Sequence, residues 1–153
     1  MARVQSSPGE GAYRPARSGF DADLLFLRRF ADPLVLLARA MLSYIFIVEG
    51  YAKIVDFAEV GGYMREHSVP PALLPLVILT ELGGGFLVLF GLKTRWAAIA
   101  LGGFCLLTAL FFHLAADDTI MFQKNIAMAG GFLVLATFGP GAWSIDCRLG
   151  RAG

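Results

Sequence analysis

At 153 residues the chain is long enough for one domain and too short for two of ordinary size. Apolar residues make up 57% of it and charged residues 16%, against about 45–50% and about 25% in soluble domains, so its excess apolar surface must face lipid. The formal net charge of +1 offers no basic excess for nucleic acid, and two distant cysteines, Cys105 and Cys147, make neither a disulfide framework nor a CxxC redox pair.

Residues 1–32 differ from the rest. Pro8, Gly9, Gly11, Pro15, Ser18 and Gly19 among scattered charges predict a flexible tail. Within it, the mixed run FDADLLFLRRF from Phe20 to Phe30 predicts a short helix on the membrane surface. The tail has no apolar core followed by a small-residue cleavage site, so no cleaved signal peptide is expected.

Four apolar runs follow, and about 20 helical residues are needed to span about 30 Å of hydrocarbon. The first run extends from Leu34 to about Ile54, with Pro33 suited to a first helical turn. In the connection DFAEVGGYMREHSVPP, Phe57, Val60, Gly61 and Met64 recur at helical spacing and predict a short interfacial helix. The second run extends from about Ala72 to Leu92. Lys93-Thr94-Arg95 then makes a connection so brief that the third run, Trp96 to about Ala115, must be its antiparallel neighbour. The fourth, from near Lys124 to Phe138, is short and is expected either to extend outward through Ile120 to Phe122 or to thin the bilayer locally, before ending at Gly139-Pro140-Gly141. The predicted fold class is an all-α membrane protein, a four-transmembrane-helix bundle over residues 33–146 with a C-terminal tail over 147–153.

Orientation follows from the basic residues. Arg3, Arg14, Arg17, Arg28, Arg29, Lys93, Arg95, Arg148 and Arg151 fall on the side of the termini, and only Lys53, Arg65 and Lys124 on the other. Both termini are therefore expected in the cytoplasm. Glycines inside the spans, with Ala98/Gly102 and Ala127/Gly131 at small-xxx-small spacing, predict tight helix packing.

Ionisable groups inside a span cost several kcal/mol unless sheltered, so each requires an account. Arg39, Glu49 and Glu81 are intramembrane; Lys53, His113 and Lys124, with Asn125, lie toward the outer ends. By helical rise Glu81 is about 15 Å deep, near the bilayer centre, and Arg39 about 7 Å deep, able to point at Glu81 or back to the cytoplasm. Lys53 stands four residues after Glu49, the favourable order for an ion pair. Two readings stay open: an internal network that sets helix register, or a polar pocket open to the outer face. His113 and His67 have no ligand spacing between them, so no metal is expected, and Met41 and Met128 are read as packing rather than haem ligands.

The stretches RAMLSYIFIVEGYAKI, ELGGGFLVLFGLKTRWAA and KNIAMAGGFLVLATFGPGAWSID, with His113 closing the third helix, resemble the DoxX family of small bacterial inner-membrane proteins over roughly residues 34–146. The resemblance implies a four-helix membrane bundle in the bacterial inner membrane. It also implies a link to quinone-coupled redox chemistry, since the family takes its name from a subunit of a thiosulfate:quinone oxidoreductase. Glu49 departs from the family pattern, which has a small or apolar residue there.

The leading expectation is a membrane subunit of a redox assembly that needs a protein partner, with a quinone headgroup as the cofactor. Glu81 and His113 are the candidate catalytic residues, Glu81 exchanging protons; Lys53, His113 and Asn125 donate to carbonyl oxygens; Arg39, Glu49 and Lys124 complete the binding set. The alternatives are a non-catalytic anchor or assembly subunit of a larger membrane complex, and a small transporter, which with four helices requires a homo-oligomer.

Overall fold

The computed structural model describes residues 20–114 and 118–150, with side chains from Arg29 onward. Six helical elements follow one another: α1 (Phe20–Val55), α2 (Phe57–Glu66), α3 (Pro71–Phe90), α4 (Thr94–Phe112), α5 (Thr119–Phe138) and α6 (Ile145–Arg148). Among the described residues there is no strand. Four of the elements, α1, α3, α4 and α5, are long and apolar enough to cross a bilayer, and at most 33% of the apolar window of any of them is buried within the chain. Leu37, Met41, Tyr44, Trp96, Leu107, Leu133 and Phe138 are among the large apolar side chains left outward. Such a surface is stable only in lipid or against another protein.

The element boundaries agree with the hydropathy reading with one substantial difference. Instead of a surface helix followed by a span beginning at Pro33, α1 runs unbroken for 36 residues with Pro33 inside it. Proline forfeits one backbone hydrogen bond, and near the bilayer edge water can satisfy the carbonyl so released. At 1.5 Å per residue this helix is about 54 Å long, so its first turns project beyond the hydrocarbon. The fourth span takes the outward extension, starting at Thr119. The short helix expected after the first span is α2, which buries Gly61 and Met64 and exposes the rest of its surface in part or in full. The first 19 residues of the expected N-terminal tail lie outside the described residues.

The bundle is built from two close helix pairs, α4 with α5 and α1 with α3, joined through α3 against α4. Ala97, Ala98, Leu101 and Cys105 of α4 meet Ala129, Phe132 and Leu135 of α5, and Phe46 of α1 and Val88 of α3 complete the apolar core. Gly102 seats α5: a Cβ there would lie 3.3 Å from that of Phe132. Phe46 sets its ring edge-on to Phe132 at 5.3 Å, an arrangement favoured by the ring quadrupoles. Gly103 and Gly130, by contrast, face open space.

α3 is irregular where it matters. A 3₁₀ turn (Pro71–Leu73) leads into Leu74–Ile78, a wide π turn covers Leu79–Gly83, and a regular α segment resumes at Gly84–Phe90. Glu81 is at the centre of the π turn, and such turns loosen the backbone ladder and recur at functional positions.

Candidate functional site

The ionisable groups singled out in the sequence do not form one network; they separate into three places. Arg39 is at the end of the bundle where α3 gives way to α4. It is 1% exposed, and its guanidinium is consumed by backbone carbonyls. Nε donates to Val88 O at 2.9 Å, Nη2 to Leu89 O at 2.6 Å, and Nη1 to both Pro140 O and Trp143 O at 2.8 Å. These carbonyls are within reach because α3 ends at Phe90 and the chain breaks at Gly139-Pro140-Gly141; Val88 O also accepts from Gly91 N at 3.2 Å and so takes two donors. Of the two orientations open to Arg39, the approach to Glu81 is not taken and the guanidinium clamps backbone instead: Glu81 is seven residues, about 10 Å of rise, from Val88.

Asp146 completes the clamp. Its carboxylate accepts from Lys93 N and Thr94 N at 2.8 Å and from Thr94 Oγ1 at 3.0 Å, while Asp146 N donates to Gly91 O at 2.8 Å. A negative charge at the first turn of α4 also opposes the positive end of its dipole. Gly91 makes the close approach possible: its φ is +70°, and a Cβ would fall 2.5 Å from that of Ser144 and 2.8 Å from Arg39 Nη2. This knot of Arg39, Gly91, Thr94, Ser144 and Asp146 was not visible as a unit in the sequence. Its signal was the presence of polar residues and glycines in two helix-breaking stretches, GLKT and GPGAWSID, with no soluble domain to serve.

The second place lies halfway along α3. Gly50 lets α1 come down on the π turn, since a Cβ there would be 2.8 Å from Leu82 Cγ and 3.1 Å from both Leu82 N and the Glu81 Cβ. Lys53, one turn further along α1, leans back toward the helix N-terminus, as helical side chains do. Its Nζ lies 3.0 Å from Glu81 Oε2 and 3.5 Å from Glu49 Oε2. One ammonium thus serves two carboxyl groups. The Glu81 contact is a charge contact off the hydrogen-bond axis: Oε2 is buried and has no aligned donor among the described residues. Glu49, on the flank of α1, has a side chain 56% exposed.

Around this pair, Asn125 on α5 is buried and donates to Met121 O at 3.0 Å. Lys124 is half-buried, and both it and Glu81 lie within electrostatic reach of Cys105, a fully buried residue of α4. The structure thus brings Glu81, Lys53 and Glu49 into contact, places Lys124 and Asn125 on the facing helix, and leaves Arg39 apart.

His113 belongs to the third place, the rim beyond α4. It closes α4 and its Nδ1 contacts Asp118 Oδ2 across the connection to α5. Beside it Tyr63 of α2 stacks on Phe112 at 5.6 Å and on His67 at 4.3 Å, which docks α2 onto the end of α4. Burial pushes the Tyr63 phenol above its ordinary value, and the negative charges of Asp118 and Glu66 push it further.

This arrangement of a basic clamp, two glycine-seated helix contacts and a carboxyl group in mid-span can be set beside known proteins. The DoxX family pattern matches residues 34–114. The chain belongs to the DoxX family. It is 44% identical to the inner membrane protein YqjF of Escherichia coli (strain K12) over 128 residues, covering 82% of this chain and 98% of that protein. It is 35% identical to the inner membrane protein YphA of the same organism over 125 residues, 75% of this chain and 89% of that protein. An uncharacterized membrane protein of Mycobacterium tuberculosis (strain ATCC 25618 / H37Rv) is 29% identical over 140 residues, 78% of this chain and 83% of that one. No solved structure matches the chain significantly. With its four spans, this DoxX protein is a multi-pass protein of the bacterial inner membrane.

Proposed function

We propose that this DoxX protein is the membrane subunit of a quinone-linked redox assembly and holds a quinone headgroup beside Glu81 and Lys53. The observation that carries the reading is the buried Glu81 Oε2, in mid-span on a π turn, paired in charge but given no aligned hydrogen-bond donor among the described residues. That oxygen accepts from a ligand hydroxyl, which the reduced, quinol form of the headgroup carries and the quinone form does not. A bound quinone would supply two-electron, two-proton chemistry inside the bilayer. Glu81 is then the group that exchanges a proton with the ring oxygen, and Lys53 the donor that polarises it. Glu49, in contact with Lys53 and open on its other side, gives a proton on that ammonium a path away from Glu81. With the termini cytoplasmic, as the bias of basic residues expects, this path opens toward the periplasmic half of the membrane.

Binding of a long-tailed benzoquinol, kept in its reduced form, to the purified protein in nanodiscs tests the reading. Glu81→Gln should weaken binding about tenfold or more, the worth of one hydrogen bond to a charged group. Unchanged binding in that variant removes Glu81 from the site.

A second reading, a non-catalytic assembly subunit, is favoured by a different observation. Gly103 and Gly130 leave bare backbone on the outer surface of the bundle, the kind of face onto which another transmembrane helix packs closely. Gly103→Leu with Gly130→Leu should then abolish co-purification of a partner at fixed stoichiometry while quinol binding is unaffected. Retained co-purification counts against it.

A further inference from the structure

α1 and α5 meet along a seam that is closed at one end and open at the other. At the closed end Leu42 packs on Gly131, where a Cβ would lie 3.2 Å from Leu42 Cδ2, and Phe46 stands against Phe132. One turn beyond Phe46, α1 leans on α3 instead, through Gly50, and the side chain of Glu49 is left more than half exposed.

The spacing of the charges about that seam is regular. Glu49 comes seven residues after Leu42, and Lys124 seven before Gly131. Seven residues turn a helix to within about 20° of the same face and raise it by about 10 Å. Glu49 and Lys124 therefore lie on the facing sides of α1 and α5, at one level, a heptad outward from the Leu42–Gly131 contact. They carry opposite charge, yet neither they nor Lys124 with any other described residue form an ion pair. Lys53, which does reach Glu49, is shared with Glu81. The seam thus has a negative jamb, a positive jamb and Glu81 with Lys53 behind them, and Met121, one turn from Lys124 on α5, exposes apolar surface.

We propose that this seam is a lateral entrance from the bilayer to Glu81, with Glu49 and Lys124 as its jambs, and that the uncharged ring head of a tailed quinone enters through it while the tail stays in lipid. The identity of the entrant rests on the quinone reading above. An uncharged ring soluble in hydrocarbon can reach Glu81 this way without passing through water; its carbonyl oxygens find a donor at Lys124, and the hydroxyls of its reduced form find acceptors at Glu49 and Glu81.

Two measurements on the full chain in phosphatidylcholine nanodiscs test the proposal. In the first, a benzoquinol with a photoreactive azide on its tail is cross-linked to the wild-type protein under reducing conditions and the adducts are mapped by mass spectrometry. Adducts on the outward faces of α1 and α5 beside the seam, lost in Glu81→Gln, are expected; Glu81-dependent adducts confined to α3 and α4 overturn the entrance and leave the quinone reading standing. Adducts indifferent to Glu81→Gln overturn both. In the second, Glu49→Cys with Lys124→Cys in a Cys147→Ser background is bridged by a short bifunctional thiol reagent. Bridging should cut Glu81-dependent labelling at least tenfold relative to the unbridged variant. Failure of the two thiols to bridge, or equal labelling when bridged, overturns the entrance. Displacement of the probe by added phosphatidylethanolamine would reassign the seam to a lipid headgroup and overturn it as a quinone path.

Discussion

Arg39 and Glu81 are ionisable side chains buried in one small bundle, and their surroundings could hardly differ more. Arg39 makes four hydrogen bonds to backbone carbonyls gathered where two helices end. Glu81 has one ammonium, shared and misaligned, and sits in a turn whose backbone ladder is widened. A charge with four of its five donors committed to backbone has little left to offer a ligand and acts as a structural fastener. A polar group left partly unsatisfied in a low-dielectric interior is a place where a ligand can gain free energy. The difference teaches that burial of a charge in a membrane span does not by itself indicate function; the tally of its partners does.

The contrast is most easily broken at the clamp. Arg39→Met should cost about 3–5 kcal/mol, because four backbone acceptors, buried or part-buried, lose the guanidinium at once. The loss is read as a fall in thermal or detergent unfolding midpoint, and Arg39→Lys should recover little of it, since one ammonium cannot fork to four carbonyls. A stable Arg39→Met protein would show that the clamp is dispensable. Gly91→Ala comes next, at about 1–3 kcal/mol, through the positive φ and the approach to Ser144 and Arg39. Glu81→Gln should sit on the other side of the comparison: a stability change of about 1 kcal/mol or less, because Lys53 keeps Glu49, together with the loss of quinol binding described above. Equal destabilisation by Arg39→Met and Glu81→Gln would erase the distinction between fastener and site.

The smallest effect concerns the rim. Tyr63 holds its proton to higher pH in the folded chain than in the unfolded one. Above the ordinary phenol pKa of about 10 the unfolded chain releases that proton first, so docking of α2 weakens as pH rises through and beyond that value and is unaffected below it. Hydrogen exchange of α2 between neutral and strongly alkaline pH should show this loosening, and Tyr63→Phe should remove it. A wild-type profile matching that of Tyr63→Phe would place the alkaline sensitivity elsewhere.

Much of the fold was legible because hydrocarbon leaves the backbone so few choices. An apolar run of span length must be helical, so α3, α4 and α5 could be drawn from hydropathy and from the Lys93-Thr94-Arg95 connection alone. Pro33 misled for the same reason it usually informs: its cost is a single hydrogen bond, which water near the bilayer edge can replace, and so α1 passes through it. The π turn at Glu81 had no local signature, since the glycines that follow it suit a regular helix packed closely as well as a widened turn.

By itself, then, the amino-acid order determined the number of spans, their antiparallel succession and the list of side chains that oil should not tolerate, because transfer of each residue between water and lipid is a local property. Only the tertiary structure decided what those side chains meet. Arg39 finds Pro140, 101 residues away, and Glu81 finds Lys53, and neither pairing could be read from the chain order. Partners of that kind depend on helix register and on glycine contacts such as Gly50 on Leu82, where a shift of one residue turns a face by about 100° and sends a buried charge to lipid.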